Sequence, residues 1–132
     1  MEAIHVLIVD DEAELASALS ERLTLRGFEA EGVTTGAEAL AFLETEPCDL
    51  VLLELGMPGL GGMEVVRRIK VARPELAVIL LTGHGSERSV EEGMALGAFD
   101  YLLKPVKIDD LVRTLRAAGS KRCEGSPRVE EG

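Results

Sequence analysis

Residues 4–11 read Ile4-His5-Val6-Leu7-Ile8-Val9-Asp10-Asp11, an apolar run that ends abruptly on two acids. A continuous run of this length, rich in Val and Ile, suits a strand covered on both faces, as in a parallel sheet. Similar runs follow at residues 28–33, 50–55, 76–81 and 98–103, at intervals of roughly 25 residues. Four of the five are continuous. Residues 28–33 instead alternate, with Glu29 and Glu31 between smaller neighbours, and read as an edge strand. His5 falls inside the first run and reads as structural.

Helical patterns fill the intervals. Leu15, Leu19 and Leu23 step by four, and Gly27 follows as a terminator. Thr35 and Glu38 predict a capping box ahead of Leu40 and Leu43. Met63, Val66 and Ile69 step by three, with Pro74 closing that helix. Ser86 is placed to cap a helix carrying Val90 and Met94, which Gly97 ends. A last helix starts near Asp109 and carries Leu111, Leu115 and Ala118. Five strands alternating with five helices predict a three-layer α/β domain with right-handed crossovers. It spans residues 1–118. Residues 119–132 are polar, carry Pro127 and lack periodicity, so they read as a polar tail or linker stub.

The composition narrows the function. With 132 residues and 46% hydrophobic side chains, the chain can build one sizeable core. A net charge of −10 argues against direct binding to nucleic acid, which needs clustered Lys and Arg. The start, Met1-Glu2-Ala3, lacks the basic region of a secretory leader, and no apolar run reaches the roughly 18 residues that cross a bilayer. Cys48 and Cys123 lack metal-ligand spacing and read as free thiols, so the expected location is cytoplasmic.

The chemistry gathers where polar residues interrupt the runs. Asp10 and Asp11 follow the first strand, Glu54 ends the third, Thr82 ends the fourth and Lys104 follows the fifth. Parallel strands all point one way, so these residues converge on the carboxyl edge, where open α/β sheets bind ligands. Three carboxylates together need a cation, and hard oxygen donors suit Mg²⁺. Thr82 and Lys104 would add a hydroxyl and an ammonium, a set able to hold a phosphoryl group by position and charge.

These residues, with Met57-Pro58-Gly59, Leu81-Thr82-Gly83 and Tyr101-Leu102-Leu103-Lys104-Pro105, resemble the CheY-like receiver domain of two-component response regulators. The likeness runs from about Ile4 to Ala118. It implies a flavodoxin-like fold, strand order 2-1-3-4-5, and Mg²⁺-dependent phosphate transfer from a histidine kinase or phosphotransfer protein to an aspartate. It makes Asp10 and Asp11 the acidic metal pair, with the Gly56 carbonyl as a further ligand. It also makes Thr82 and Lys104 the phosphoryl grip, Tyr101 an aromatic switch, and Lys104–Pro105 a cis bond. An effector, or a second copy of the chain, would dock on the fourth helix, fifth strand and fifth helix. The role is signalling, not catalysis.

One position departs from the family. Its phosphoaccepting Asp is replaced by Glu54, in Leu52-Leu53-Glu54-Leu55-Gly56, and Asp49 precedes the strand at the wrong end. Gly61 also stands where Asp is common. The extra methylene advances the carboxylate by about one bond, and a misplacement of ~1 Å can cost on the order of a hundredfold in transfer. Glu54 is therefore expected to be phosphorylated poorly. It either partly imitates a phosphoryl group or pairs with Lys104 and closes the pocket.

Plainer readings exist beside these. Asp10 and Asp11 could cap the first helix, and His84 reads as a loop residue at the pocket rim. Asp10-Asp11-Glu12 occupies the turn where a dinucleotide or P-loop domain carries glycines, so no nucleotide cofactor is expected. The rival class is a small Mg²⁺-dependent phosphohydrolase with Asp10 as nucleophile, but such enzymes favour two aspartates with one residue between them and a capping segment, whereas Asp10 and Asp11 are adjacent.

Overall fold

The computed structural model describes residues 3–57, 61–83 and 87–125. Its elements alternate in chain order as β1 His5–Val9, α1 Ala13–Leu25, β2 Glu29–Val33, α2 Gly36–Thr45, β3 Leu50–Glu54, α3 Gly62–Ala72, β4 Ala77–Thr82, α4 Glu87–Ala95, β5 Asp100–Leu103 and α5 Ile108–Gly125. The strands are all parallel and lie in the order β2-β1-β3-β4-β5. This is the expected flavodoxin-like topology.

The three layers follow from the two-residue period of a strand. Leu7, Val9, Val51, Leu53, Val78 and Leu80 meet α2 and α3 on one face. Val6, Ile8, Leu50, Leu52, Ile79 and Leu81 meet α1 and α5 on the other. Covered on both faces, β1, β3 and β4 have no polar side to show, hence their continuous apolar runs. A Cβ at Gly93 would collide with Leu80 Cδ1, so α4 rests close on the same side as α3.

Local signals placed the helix ends well. Gly27 has φ +93°, a left-handed conformation glycine reaches without strain, and Phe28 N–H turns back to Leu23 O at 3.1 Å. At the start of α2, Thr35 Oγ1 accepts from Glu38 N–H at 3.0 Å. Glu38 Oε1 returns the favour to Thr34 N–H, also at 3.0 Å, one residue earlier than in the usual reciprocal box.

Three details differ from the sequence reading. β5 is the second edge strand and alternates in burial, with Tyr101 and Leu103 exposed. It is not covered on both faces like the other continuous runs. Glu12, not Asp10 or Asp11, holds the N-cap position of α1, and its side chain makes no capping bond. Helix α5 also continues past residue 118 to Gly125, and Gly119 is buried where a Cβ would press on Ile4. Ser86, His84 and Pro58-Gly59 lie outside the described residues. No helix among the described residues is long and apolar enough to cross a membrane.

Candidate functional site

Each polar residue at the carboxyl edge is anchored by the sheet itself. Asp10 N–H donates to Val33 O at 3.1 Å, and Lys104 N–H donates to Thr82 O at 2.8 Å. The Lys104–Pro105 bond is cis, as expected. Strand parity then sorts the side chains. Asp10, Glu54 and Lys104 continue the rows of Ile8, Leu52 and Leu102, on the α1/α5 face. Thr82 continues the row of Val78 and Leu80, on the opposite face.

The three residues of like parity meet. Lys104 Nζ lies 2.7 Å from Glu54 Oε1 and 2.9 Å from Asp10 Oδ2. Asp10 is wholly buried and Glu54 nearly so. Neither oxygen has a hydrogen-bond partner among the described residues, the lysine's approach being an oblique ion pair. Two buried carboxylates thus depend on one ammonium. Burial by itself would lower the lysine's pKa, but the attraction of the Glu54 and Asp10 carboxylates outweighs it and holds Lys104 well above its ordinary value.

The other oxygens are also engaged. Glu54 Oε2 accepts Gly56 N–H at 2.8 Å, and Asp10 Oδ1 accepts Glu12 N–H at 2.9 Å. Lys104 Nζ additionally donates to Glu12 Oε1 at 3.3 Å. The sequence reading named Asp10, Asp11 and Glu54 as the three carboxylates. In the structure the third around the ammonium is Glu12, while Asp11 is exposed to solvent. Successive residues leaving a strand point opposite ways, so Asp10 and Asp11 could not both face inward. The usable signal was the third consecutive acid, Glu12.

No three His, Cys, Asp or Glu side chains gather as a metal-holding group among the described residues. Asp10 and Glu54 nonetheless offer two hard, buried oxygens lacking hydrogen bonds, a donor chemistry that suits Mg²⁺ completed by water. Buried Thr82 lines, with Lys104, the head of a groove of about 790 Å³ between α4 and β5. Val90, Met94, Tyr101 and Leu103 form its apolar part, and Tyr101 is 42% exposed. Asp49 lies at the other end of β3, where its Oδ2 accepts His5 N–H at 2.8 Å, as its position in the sequence required.

A parallel β2-β1-β3-β4-β5 sheet with an acid-and-lysine cluster at its carboxyl edge defines a phosphorelay receiver, and residues 6–116 match the family described as the response regulator receiver domain. The chain belongs to that family and is a receiver domain of two-component signalling. It is 38% identical over 127 residues to the sensory transduction protein RegX3 of Mycobacterium tuberculosis, covering 96% of this chain and 56% of that protein. Over 120 residues it is 35% identical to the C4-dicarboxylate transport transcriptional regulatory protein DctD of Rhizobium meliloti, covering 91% and 26%. It therefore spans from about a quarter to just over half the length of these relatives. Among solved structures, a CheY-like receiver domain protein of Methanospirillum hungatei superposes with a TM-score of 0.91 at 27% identity, covering 95% of this chain and all of that one. A receiver from Clostridium thermocellum gives 0.86 at 34% identity, covering 91% and 97%. Receivers of this family are signalling modules, and response regulators work with histidine kinases and effector domains.

Proposed function

We propose that this receiver signals without a stable phosphoryl group, its pocket being closed by its own charges. The observation that carries the reading is Glu54. One carboxylate oxygen pairs with Lys104 at 2.7 Å and the other accepts Gly56 N–H at 2.8 Å. In such a pocket the carboxylate at the acceptor position is already held, and the lysine that would grip incoming phosphoryl oxygens is already neutralised. Of the two consequences open to Glu54, pairing with Lys104 is the better supported, and Tyr101 on the outer surface accords with an unactivated receiver.

Asp10 and Glu54, with the Gly56 carbonyl and exposed Asp11 as candidates, would hold Mg²⁺, which would supply positive charge to the carboxyl edge. Thr82 and Lys104 would orient phosphoryl oxygens if transfer took place. The partners are a histidine kinase or phosphotransfer protein, and an effector or second copy on the α4-β5-α5 face, where Met94, Tyr101 and Leu103 are exposed. We place the chain in the cytoplasm, without enzymatic turnover and without direct contact to nucleic acid or membrane. We keep the receiver unit at residues 1–118, with 119–132 as the stretch that leaves it, carried as helix to Gly125. The phosphohydrolase alternative is not favoured, since Asp10 is wholly buried against Lys104 and poorly placed as a nucleophile.

Incubation with Mg²⁺ and acetyl phosphate, followed by intact mass, tests the reading. The Glu54→Asp chain should gain one phosphoryl group readily and the Glu54 chain should not. Rapid, near-complete phosphorylation of the Glu54 chain would refute it.

A further inference from the structure

The flank of the sheet formed by β2 and α2 is charged unlike the rest of the molecule. Residues 27–63 carry seven acids and no Lys or Arg. On α3, by contrast, Glu64 pairs with Arg67 and Arg68, and on α5 Asp110 pairs with Arg113. Along the β2 flank Glu31, Glu38 and Glu46 are exposed and form no ion pair among the described residues, while Glu29 meets only His5, at 3.6 Å. The strand beneath them is open. β2 pairs on one side only, with β1. Glu29 N–H donates to Ile4 O at 2.9 Å and Val33 O accepts Asp10 N–H at 3.1 Å, so that parity faces β1. Ala30 and Gly32, of the other parity, turn their backbone groups outward. Ser20 Oγ donates to Ala30 O at 3.2 Å, which leaves Ala30 N–H and both groups of Gly32 along the edge.

Between β2 and α2 runs a groove of about 760 Å³, floored by half-buried Val33 and Phe42 and flanked by Glu31, Glu38 and Glu46. Towards the amino end a hollow of about 440 Å³ continues it, with Glu31, Phe42 and Glu46 lining both. We propose that this flank docks a basic, extended segment of a partner protein, added as a strand beside β2. Such a strand takes the outward backbone groups of Ala30 and Gly32 and sets alternate side chains over the groove. Lys or Arg at those positions meets Glu29 and Glu31 on one wall and Glu46 on the other, with its aliphatic stem on Val33 and Phe42. A second copy is a poorer occupant, because edge-to-edge pairing sets Glu29 and Glu31 against the same acids. Nucleic acid and anionic lipid carry the wrong sign. Acids on an edge also discourage aggregation, but that role does not call for Glu46 across the groove. None of Asp10, Glu12, Glu54 and Lys104 lines either hollow, so the docking edge is independent of the carboxyl-edge cluster.

Two capped heptapeptides of equal composition test this, titrated into the isotope-labelled chain at about 0.15 M salt, where distant charges are screened. One alternates Lys with Val and the other holds them in blocks. The alternating peptide should shift the amides of Ala30 and Gly32, and should bind about tenfold more tightly, since as a strand it presents its charges on one face. Combining Glu31→Gln with Glu46→Gln should weaken its binding about fivefold, the size expected of two exposed ion pairs. Combining Glu21→Gln with Glu44→Gln removes the same charge outside the groove and should leave binding within about twofold. All four glutamates are exposed, so neither variant disturbs the core. Equal weakening by the two variants would reduce the effect to net charge and overturn the proposal. So would equal binding of the two peptides, shifts confined to α4 and β5, or no binding. Shifts of the Ala30 and Gly32 amides with protein concentration alone would give the edge to a second copy, and would equally overturn it.

Discussion

Lys104 is worth more to this molecule in its absence than its own contacts suggest. Removing one member of a buried ion pair leaves the others uncompensated, and that penalty exceeds the net value of the pair. Lys104→Met strands Asp10 and Glu54, both buried and with no other cation within 4.0 Å among the described residues. We expect a loss of about 3 kcal/mol, at the lower end of such cases because the lysine tip reaches solvent. Urea unfolding of the two chains measures it, and a loss below about 1 kcal/mol would place the carboxylates in better-solvated surroundings than described. Cys48 is the other residue whose environment fixes its chemistry. Burial raises its thiol, the backbone at Leu50 only partly offsetting this, and the pKa reaches about 11. The thiolate is the reactive form, so in a Cys123→Ser chain the native protein at pH 8 should take up thiol reagent far more slowly than the same chain in urea. Equal rates would contradict the burial.

Among the elements, those with a strict period were legible and those governed by an edge were not. β1, β3 and β4 announced themselves because both faces are covered and all but one terminal position in each is apolar. α1 and α3 followed from single apolar stripes and their terminators. β5 misled, because Tyr-Leu-Leu reads as buried whether or not a helix covers its outer face, and only the sheet order makes it an edge. The continuation of α5 was hidden by the residues from Ser120 onward, which are polar and carry no apolar period. In the site, parity along the strands already groups Asp10, Glu54 and Lys104, whereas the role of Glu12 depends on a side chain leaving its expected capping place. The cap of α2 gives a test at this scale. Thr35→Ala removes the acceptor for Glu38 N–H and should cost about 1 kcal/mol in urea unfolding. Glu38 itself titrates below its ordinary value, chiefly through the bond from Thr34 N–H. Its help to the cap is therefore present above the usual glutamate range and fades as pH falls through the lowered value.

Taken as a whole, the molecule carries buried ionisable groups at opposite ends of its sheet, and both bias it the same way in alkali. Cys48 lies at the amino end, beside His5 O and Leu50 O, and Lys104 at the carboxyl end. In each the folded state keeps a proton that the unfolded chain gives up sooner. Folding stability must then fall with rising pH wherever the unfolded chain has lost that proton and the native one has not. For Cys48 the window opens near the ordinary thiol value of about 9 and closes at about 11. Within it the slope is about 1.4 kcal/mol per pH unit at most. For Lys104 the stabilisation is complete below the ordinary lysine value of about 10.4 and is lost only as pH rises beyond it. The two windows can be separated with one substitution. Cys48→Ala removes the first and leaves the second, and in the difference between the two chains every other titrating group cancels. Urea midpoints at pH 7, 9, 10 and 11 should show the parent losing stability faster than Cys48→Ala from pH 9 upward, with parallel curves below pH 8. The small cavity left by the alanine shifts the level of the second curve but not its slope, so the comparison is made on slopes. Parallel curves over the whole range would show that the thiol at the amino end is open to water, and with it that end of the α2/α3 core.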